Sequence, residues 1–173
     1  MLRKFVSEIF GFNREIDELN RRIQELSWDE PFGMWTRSAF LQFCRIMPRG
    51  KRTVVFIDLD DIHGMNHRLG YTEVDRRVKQ AFSIPFRRSD IVARWYSGDE
   101  IVVLFDSDRK GAEKKVEELR RRALELDLSF SSEIGMWNVS KKSIEEIVEM
   151  LSDRNRRRLE PSRRPGSIRR PGA

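Results

Sequence analysis

Residues 53–61 read Thr-Val-Val-Phe-Ile-Asp-Leu-Asp-Asp, an apolar run that ends in acidic residues. A run with so little alternation predicts a strand covered on both faces, because a half-exposed strand alternates polar and apolar residues. Further along the chain, residues 91–96 and 101–106 predict two strands joined by a hairpin over residues 97–100, Ser-Gly-Asp-Glu. The chain therefore centres on a buried strand with an acidic end and a hairpin with an acidic tip.

Helical patterns alternate with these strands. The spacing of apolar residues predicts helices over residues 36–47, 71–82, 109–126 and 143–151, with another strand over residues 128–137. The order helix, strand, helix, hairpin, helix, strand, helix predicts an α+β or α/β sandwich in which helices cover a mixed sheet.

The first 28 residues have the most regular apolar spacing in the chain. From Leu2 to Leu26, apolar residues recur at alternating steps of three and four, as at the a and d positions of a coiled coil. We predict that residues 1–28 form an amphipathic helix that pairs with a second copy. The sequence leaves open the alternative that this stripe packs against its own domain.

The positive charge of the chain is concentrated at its C-terminus. The net charge is +6, but residues 154–173 contain eight arginines and one glutamate, so the remainder is nearly neutral. We predict that residues 153–173 are an Arg-rich disordered tail. Contact between this tail and nucleic acid is a weaker alternative, because the tail has no aromatic side chain to stack on bases.

Cysteine count and hydropathy define the expected compartment. Cys44 is the single cysteine, so an intramolecular disulfide is excluded. The apolar runs are strand-sized and too short to cross a bilayer. We therefore expect a cytoplasmic protein with no membrane contact.

Two acidic clusters are the candidates for chemistry. Asp58, Asp60 and Asp61 end the buried strand, and Asp99 and Glu100 lie at the hairpin tip. If the hairpin pairs beside the strand, the carboxylates meet, and a hard divalent cation such as Mg²⁺ relieves their repulsion. Two such ions can support phosphoryl transfer by activating a hydroxyl and stabilising a leaving pyrophosphate. Taken singly, each cluster also suits an ordinary turn.

Several motifs, in the same order, resemble the GGDEF-domain diguanylate cyclases. Residues 58–66 (DLDDIHGMN), Gly70, Asp75 and residues 97–101 (SGDEI) resemble the family's central motifs and its hairpin. The family's entry motif is matched in register by Asp29, Gly33, Met34, Arg37 and Phe40. The resemblance covers residues 29–152. It implies a ferredoxin-like palm sheet covered by helices, and the condensation of two GTP molecules into cyclic di-GMP with release of pyrophosphate by a homodimer.

The resemblance also implies roles at the acidic clusters. By motif position, Asp58, Leu59 and Asp99 would bind Mg²⁺ or Mn²⁺. Asp58 and Asp99 would therefore be catalytic, together with Glu100, which would assist the metal or help deprotonate the 3′-hydroxyl.

Further roles concern the nucleotide. Asn66 and Asp75 would recognise the guanine edge, and Ser97, Gly98 and His63 would lie on the phosphate side. Ser97 stands where the family has the first glycine of its hairpin, and His63 where it has a lysine.

Other family features are matched less directly. Arg87 and Asp90 resemble the product-inhibition site, although the sequence equally allows a surface ion pair there. Arg154, Arg156 and Arg158 are the candidates for the family's phosphate-gripping Lys/Arg signature. Two alternative functions remain open: a related palm-domain synthase that makes cyclic oligonucleotides from another nucleotide, and a catalytically inactive module that binds a nucleotide and signals.

Overall fold

The computed structural model describes residues 18–19, 21–23, 26–96, 98–139 and 141–159. Within these residues one sheet has six strands in the order β1-β2-β4-β5-β3-β6. The strands are β1 (Trp28–Asp29), β2 (Met34–Trp35), β3 (Lys51–Leu59), β4 (Ile91–Arg94), β5 (Glu100–Phe105) and β6 (Phe130–Asn138). Only β2 and β4 pair in parallel in this described part, and the other neighbours are antiparallel. The predicted mixed sheet is confirmed.

Strand β3 is the centre of the sheet. It pairs with β5 on one side and with β6 on the other. Its residues Val54, Val55, Phe56 and Ile57 are at most 1% exposed, which explains the uninterrupted apolar run.

Helices cover both faces of the sheet. The helices that complete the domain are α1 (Arg37–Ile46), α2 (Ile62–Leu69), α3 (Tyr71–Ala81), α4 (Arg109–Leu124) and α5 (Ile144–Leu159). The face with Val55, Ile57 and Leu59 packs against α2, α3 and α4, and the face with Val54 and Phe56 packs against α1 and α5. The period of two along β3 therefore divides the core into two layers, as expected for an α+β palm.

Four elements differ from the sequence prediction. Helix α2 was not predicted, because it is short, contains Gly64 and buries only Ile62 and Met65. The two-residue strands β1 and β2 were not predicted either. Helix α5 continues to Leu159, eight residues past its predicted end at Leu151. The Arg-rich tail predicted for residues 153–173 therefore begins within a helix, and residues 160–173 lie outside the described residues.

Most of the predicted N-terminal helix lies outside the described residues. Residues 18–19, 21–23 and 26–27 are helical. Among them Leu19, Ile23 and Leu26 are 57%, 60% and 76% exposed, so this part of the apolar stripe is not covered by its own domain. Across the described residues, every helix is too short or too polar to span a lipid bilayer.

Candidate active site

The two acidic clusters lie side by side. Asp58, near the end of β3, is directly opposite Glu100, the first residue of β5. The Leu59 amide donates a hydrogen bond to the Asp99 carbonyl at 2.9 Å. Paired residues on neighbouring strands project from the same face with their Cβ atoms about 5 Å apart. The fold thus joins acidic residues that are some forty positions apart in the sequence.

The pKa of Glu100 reflects the burial and the negative charges at this junction. Its pKa is raised, first because the side chain is buried and then because Asp99 and Asp58 place negative charges nearby; Arg156 opposes the shift. The buried Oε2 of Glu100 has no hydrogen-bond partner within the described residues. An unpartnered carboxylate oxygen beside two like charges fits a divalent cation, which would offset most of their negative charge.

The described residues hold no cluster of three or more His, Cys, Asp or Glu side chains arranged to bind a metal ion. A cation here would therefore need ligands other than three side chains, such as a main-chain carbonyl or the phosphates of a nucleotide. Mg²⁺ is commonly bound in this way, by one or two carboxylates together with substrate phosphates and water.

A pocket of about 170 Å³ opens on the other side of Asp99. Its walls are formed by Phe32, Ile62, His63, Asn66, Tyr71, Asp75, Arg94, Gly98 and Asp99. The buried Oδ1 of Asn66 has no partner within the described residues. Burial raises the pKa of Asp75, the charge of Arg94 lowers it and that of Asp29 raises it. The pocket thus presents an amide and a partly desolvated carboxylate to a polar ligand.

Arg94 forms one wall of this pocket and was missed by the sequence analysis. Its Nη1 lies 2.8 Å from Asp29 Oδ2, and its guanidinium lies 4.3 Å from the centre of the Phe32 ring. Asp29 also accepts a hydrogen bond from the Phe32 amide at 3.1 Å. The contact joins the segment before α1 to the strand that leads into the hairpin. In the sequence, Arg94 is the single charged residue within the strand predicted over residues 91–96.

The tip of the hairpin requires glycine at one position. Gly98 has a φ of 64°, a left-handed conformation that other residues rarely adopt. Ser97 lies outside the described residues. His63, at the start of α2, is exposed and lines the pocket, on the side predicted for the phosphates.

The arginines of α5 differ in what they contact. Arg154 donates to the Met150 sulfur at 3.6 Å. Arg158 lies 3.4 Å from Glu133 and donates to the Ser132 carbonyl at 3.2 Å. Only Arg156, among the three candidates for the phosphate signature, acts electrostatically on Glu100.

A family model described as "Diguanylate cyclase, GGDEF domain" matches residues 41–154, a span that contains Asp58, Asn66, Asp75 and Asp99. The chain belongs to this family. The resemblance predicted from the motifs is confirmed. No curated protein sequence matches the chain.

Solved GGDEF-domain structures share the fold. The coiled coil and GGDEF domain of DgcB from Caulobacter crescentus, in complex with c-di-GMP, has a TM-score of 0.72 at 16% identity, covering 94% of each chain. The diguanylate cyclase SiaD from Pseudomonas aeruginosa, in complex with its activator SiaC, has a TM-score of 0.69 at 19% identity, covering 94% of this chain and 69% of that one. The FimX GGDEF domain from Pseudomonas aeruginosa has a TM-score of 0.62 at 16% identity, covering 79% and 94%. These likenesses establish the GGDEF palm architecture.

The pair predicted as a product-inhibition site of this GGDEF domain has local partners. The Asp90 carboxylate accepts hydrogen bonds from the Arg87 and Asp106 amides, each at 3.0 Å. The Arg87 guanidinium donates to the Asp106 carbonyl at 3.4 Å. Both side chains therefore brace the turn before β4, and their role toward a product stays a prediction.

Proposed function

We propose that this GGDEF domain is a Mg²⁺-dependent diguanylate cyclase that condenses two GTP molecules into cyclic di-GMP and releases pyrophosphate. The observation that carries the proposal is the position of Asp99. This residue lines the pocket of Asn66 and Asp75, and its charge also acts on Glu100. A nucleotide whose base is held in the pocket would therefore have its phosphates beside the acidic junction.

The polar groups of the pocket suit guanine. A carboxylate is an acceptor only, so Asp75 would accept from the ring N–H and the exocyclic amino group of guanine. Adenine has no ring N–H on its Watson–Crick edge and could not make both bonds. The amide of Asn66 offers both a donor and an acceptor. A site built this way discriminates strongly, because the wrong base leaves buried polar groups unpaired.

The acidic junction suits Mg²⁺ or Mn²⁺. The carboxylates of Asp58 and Asp99 and the main-chain carbonyl of Leu59 would hold the cation, together with the triphosphate. When bound, the cation supplies charge neutralisation at the phosphates and a lowered pKa for a coordinated hydroxyl. Glu100, as an additional acceptor beside these residues, would hold the proton released by the 3′-hydroxyl.

Groups around the acidic junction would bind the phosphates. The absence of a side chain at Gly98 lets the main chain approach a phosphate closely. Arg156 would attract the triphosphate, since its charge already acts on Glu100. His63, which lines the pocket, would contribute a further contact.

The reaction needs two protomers. One pocket holds one nucleotide, whereas each half of a cyclic dinucleotide contributes one 3′-oxygen and one phosphate. We infer a homodimer formed through the N-terminal helix. The exposure of Leu19, Ile23 and Leu26 supports this inference, as does the coiled coil in the DgcB structure.

A product assay tests the proposal. The purified chain is incubated with each labelled nucleoside triphosphate and Mg²⁺ or Mn²⁺, and the products are resolved by chromatography. We expect a cyclic dinucleotide from GTP, lost in Asp99→Ala and retained in Asp127→Asn, a matched control whose carboxylate is 85% exposed. A cyclic product from ATP would instead support a synthase for another nucleotide. Nucleotide binding without turnover would support an inactive signalling module.

A further inference from the structure

Asn155 is a buried polar residue in the most basic stretch of α5. It is 1% exposed, although its neighbours Arg154 and Arg156 are exposed. Its position continues the buried stripe of α5, which includes Ile144, Val148 and Leu151. An apolar residue would fit this stripe without needing partners, whereas a buried amide is unfavourable unless its hydrogen bonds are made.

The amide of Asn155 has partners on the sheet below it. Its Nδ2 donates to Ser131 Oγ at 2.6 Å and approaches Asp58 Oδ2 at 3.5 Å. Its Oδ1 accepts from Arg158 Nη2 at 3.4 Å. Ser131 on β6 is the register partner of Asp58 on β3. One amide thus contacts two neighbouring strands and the next turn of its own helix.

These partners fix the orientation of the amide. Arg158 has only donors, so it requires the carbonyl oxygen of Asn155 on its side. The two N–H bonds then point toward Ser131 and Asp58. A flipped amide would place its oxygen against the Asp58 carboxylate and its NH₂ against a guanidinium. The arrangement therefore selects a donor, and not an acceptor, facing Asp58.

We propose that Asn155 is a positioning residue for the metal site, holding Oδ2 of Asp58 so that the carboxylate faces the cation. This inference rests on the proposed function, because it takes Asp58 as a metal ligand. Groups that hydrogen-bond to ligating side chains orient them, and their loss typically weakens metal binding about 10- to 100-fold. Arg158 donates to the carbonyl oxygen of Asn155 and also pairs with Glu133, so it helps to hold the amide of Asn155 in place.

The test measures Mn²⁺ binding directly, by electron paramagnetic resonance of the full chain with a non-hydrolysable GTP analogue. Asn155→Leu keeps the volume and the apolar stripe but removes the donor. We expect Mn²⁺ affinity to fall about 10- to 100-fold, while affinity for the analogue without metal stays unchanged. Ser131→Ala, which removes the partner that anchors the amide, should give a smaller fall. In turnover assays, the concentration of Mn²⁺ at half-maximal rate should rise more than kcat falls.

Controls separate positioning from stability. Leu151→Ala, one turn earlier in α5, should lower Tm and leave Mn²⁺ affinity unchanged. Asp99→Ala should abolish the Mn²⁺ binding that exceeds binding by the analogue alone. Asn155→Leu with folded-state spectra and an Mn²⁺ affinity within twofold of the parent would overturn the positioning role and leave the proposed function standing. A parent chain without Asp99-dependent Mn²⁺ binding would overturn both.

Discussion

The contact between Arg94 and Asp29 allows a quantitative prediction about the wall of the pocket. Arg94→Met would keep most of the apolar stem and remove the 2.8 Å ion pair, leaving an Asp29 carboxylate that is only 14% exposed. Removing one partner of a buried pair costs about 3–5 kcal/mol, and the lost contact with the Phe32 ring adds about 0.5–1 kcal/mol. Because Arg94 is itself 29% exposed and its buried Nε has no partner within the described residues, we place the loss near 3 kcal/mol, at the low end of that range.

The assay is urea denaturation of the parent, Arg94→Met, Asp29→Asn and the double variant. We expect a coupling energy of about 2 kcal/mol between the two positions, within the range for residues in direct contact. Arg109→Met is the matched control, because the ion pair of Arg109 with Glu113 has the same 2.8 Å distance but side chains 59% and 49% exposed. Its loss should be below about 0.5 kcal/mol. Additive effects of the two single variants, or equal losses in Arg94→Met and Arg109→Met, would show that Arg94 and Asp29 do not form a stabilising buried pair.

Three further predictions concern single side chains. Burial raises the pKa of Asp75 above its usual 3.8. Because ionising a desolvated carboxyl group is unfavourable, the nucleotide-free protein should lose stability as the pH rises from 3.8 through the raised pKa. Asp75→Asn should therefore raise Tm at neutral pH, and this gain should vanish below pH 3.8. In calorimetry, the same variant should bind GTP more weakly. A Tm difference between variant and parent that stays constant across pH would contradict this prediction. Burial, followed by the charge of Glu145, raises the pKa of Cys44 from 9.0 to about 12. A disulfide reagent should therefore react with this thiol at least roughly a thousandfold more slowly in the native chain than in guanidinium, and equal rates would refute the burial. Arg156→Ala should weaken GTP binding about tenfold, with Arg154→Ala near the parent value; the reverse order would assign phosphate contact to Arg154.

The sequence was most informative where burial determines residue type. The run from Val54 to Ile57 can only be a strand covered on both faces, and the structure places it at the centre of the sheet. The sequence predicted that the two acidic clusters would meet if the hairpin paired beside that strand, and the structure pairs Asp58 with Glu100. These features depend on local pattern and on one strand pairing, which is why they could be predicted.

Features that depend on several distant contacts could not be predicted. Helix α2 has too few buried residues to show periodicity, and its packing on α3 comes only with the fold. Arg94 and Asn155 look like surface residues in the sequence. Asn155 is buried and Arg94 is partly buried, and each contacts a partner far away in the sequence, 97 positions away at Asp58 and 65 positions away at Asp29. Asn155 lies four positions after Leu151 and so continues the apolar spacing that begins at Ile144. This spacing was the one sign in the sequence that α5 reaches Asn155.

The proposed function requires that Asp58 and Asp99 share a divalent cation next to a guanine pocket. Its most direct test is a crystal structure with Mn²⁺ and a non-hydrolysable GTP analogue, in which anomalous scattering locates the metal. We expect a Mn²⁺ peak within about 2.3 Å of oxygens from both carboxylates and from the nucleotide phosphates, with the base beside Asn66 and Asp75. Mn²⁺ bound without either carboxylate, or a nucleotide bound away from this pocket, would contradict it.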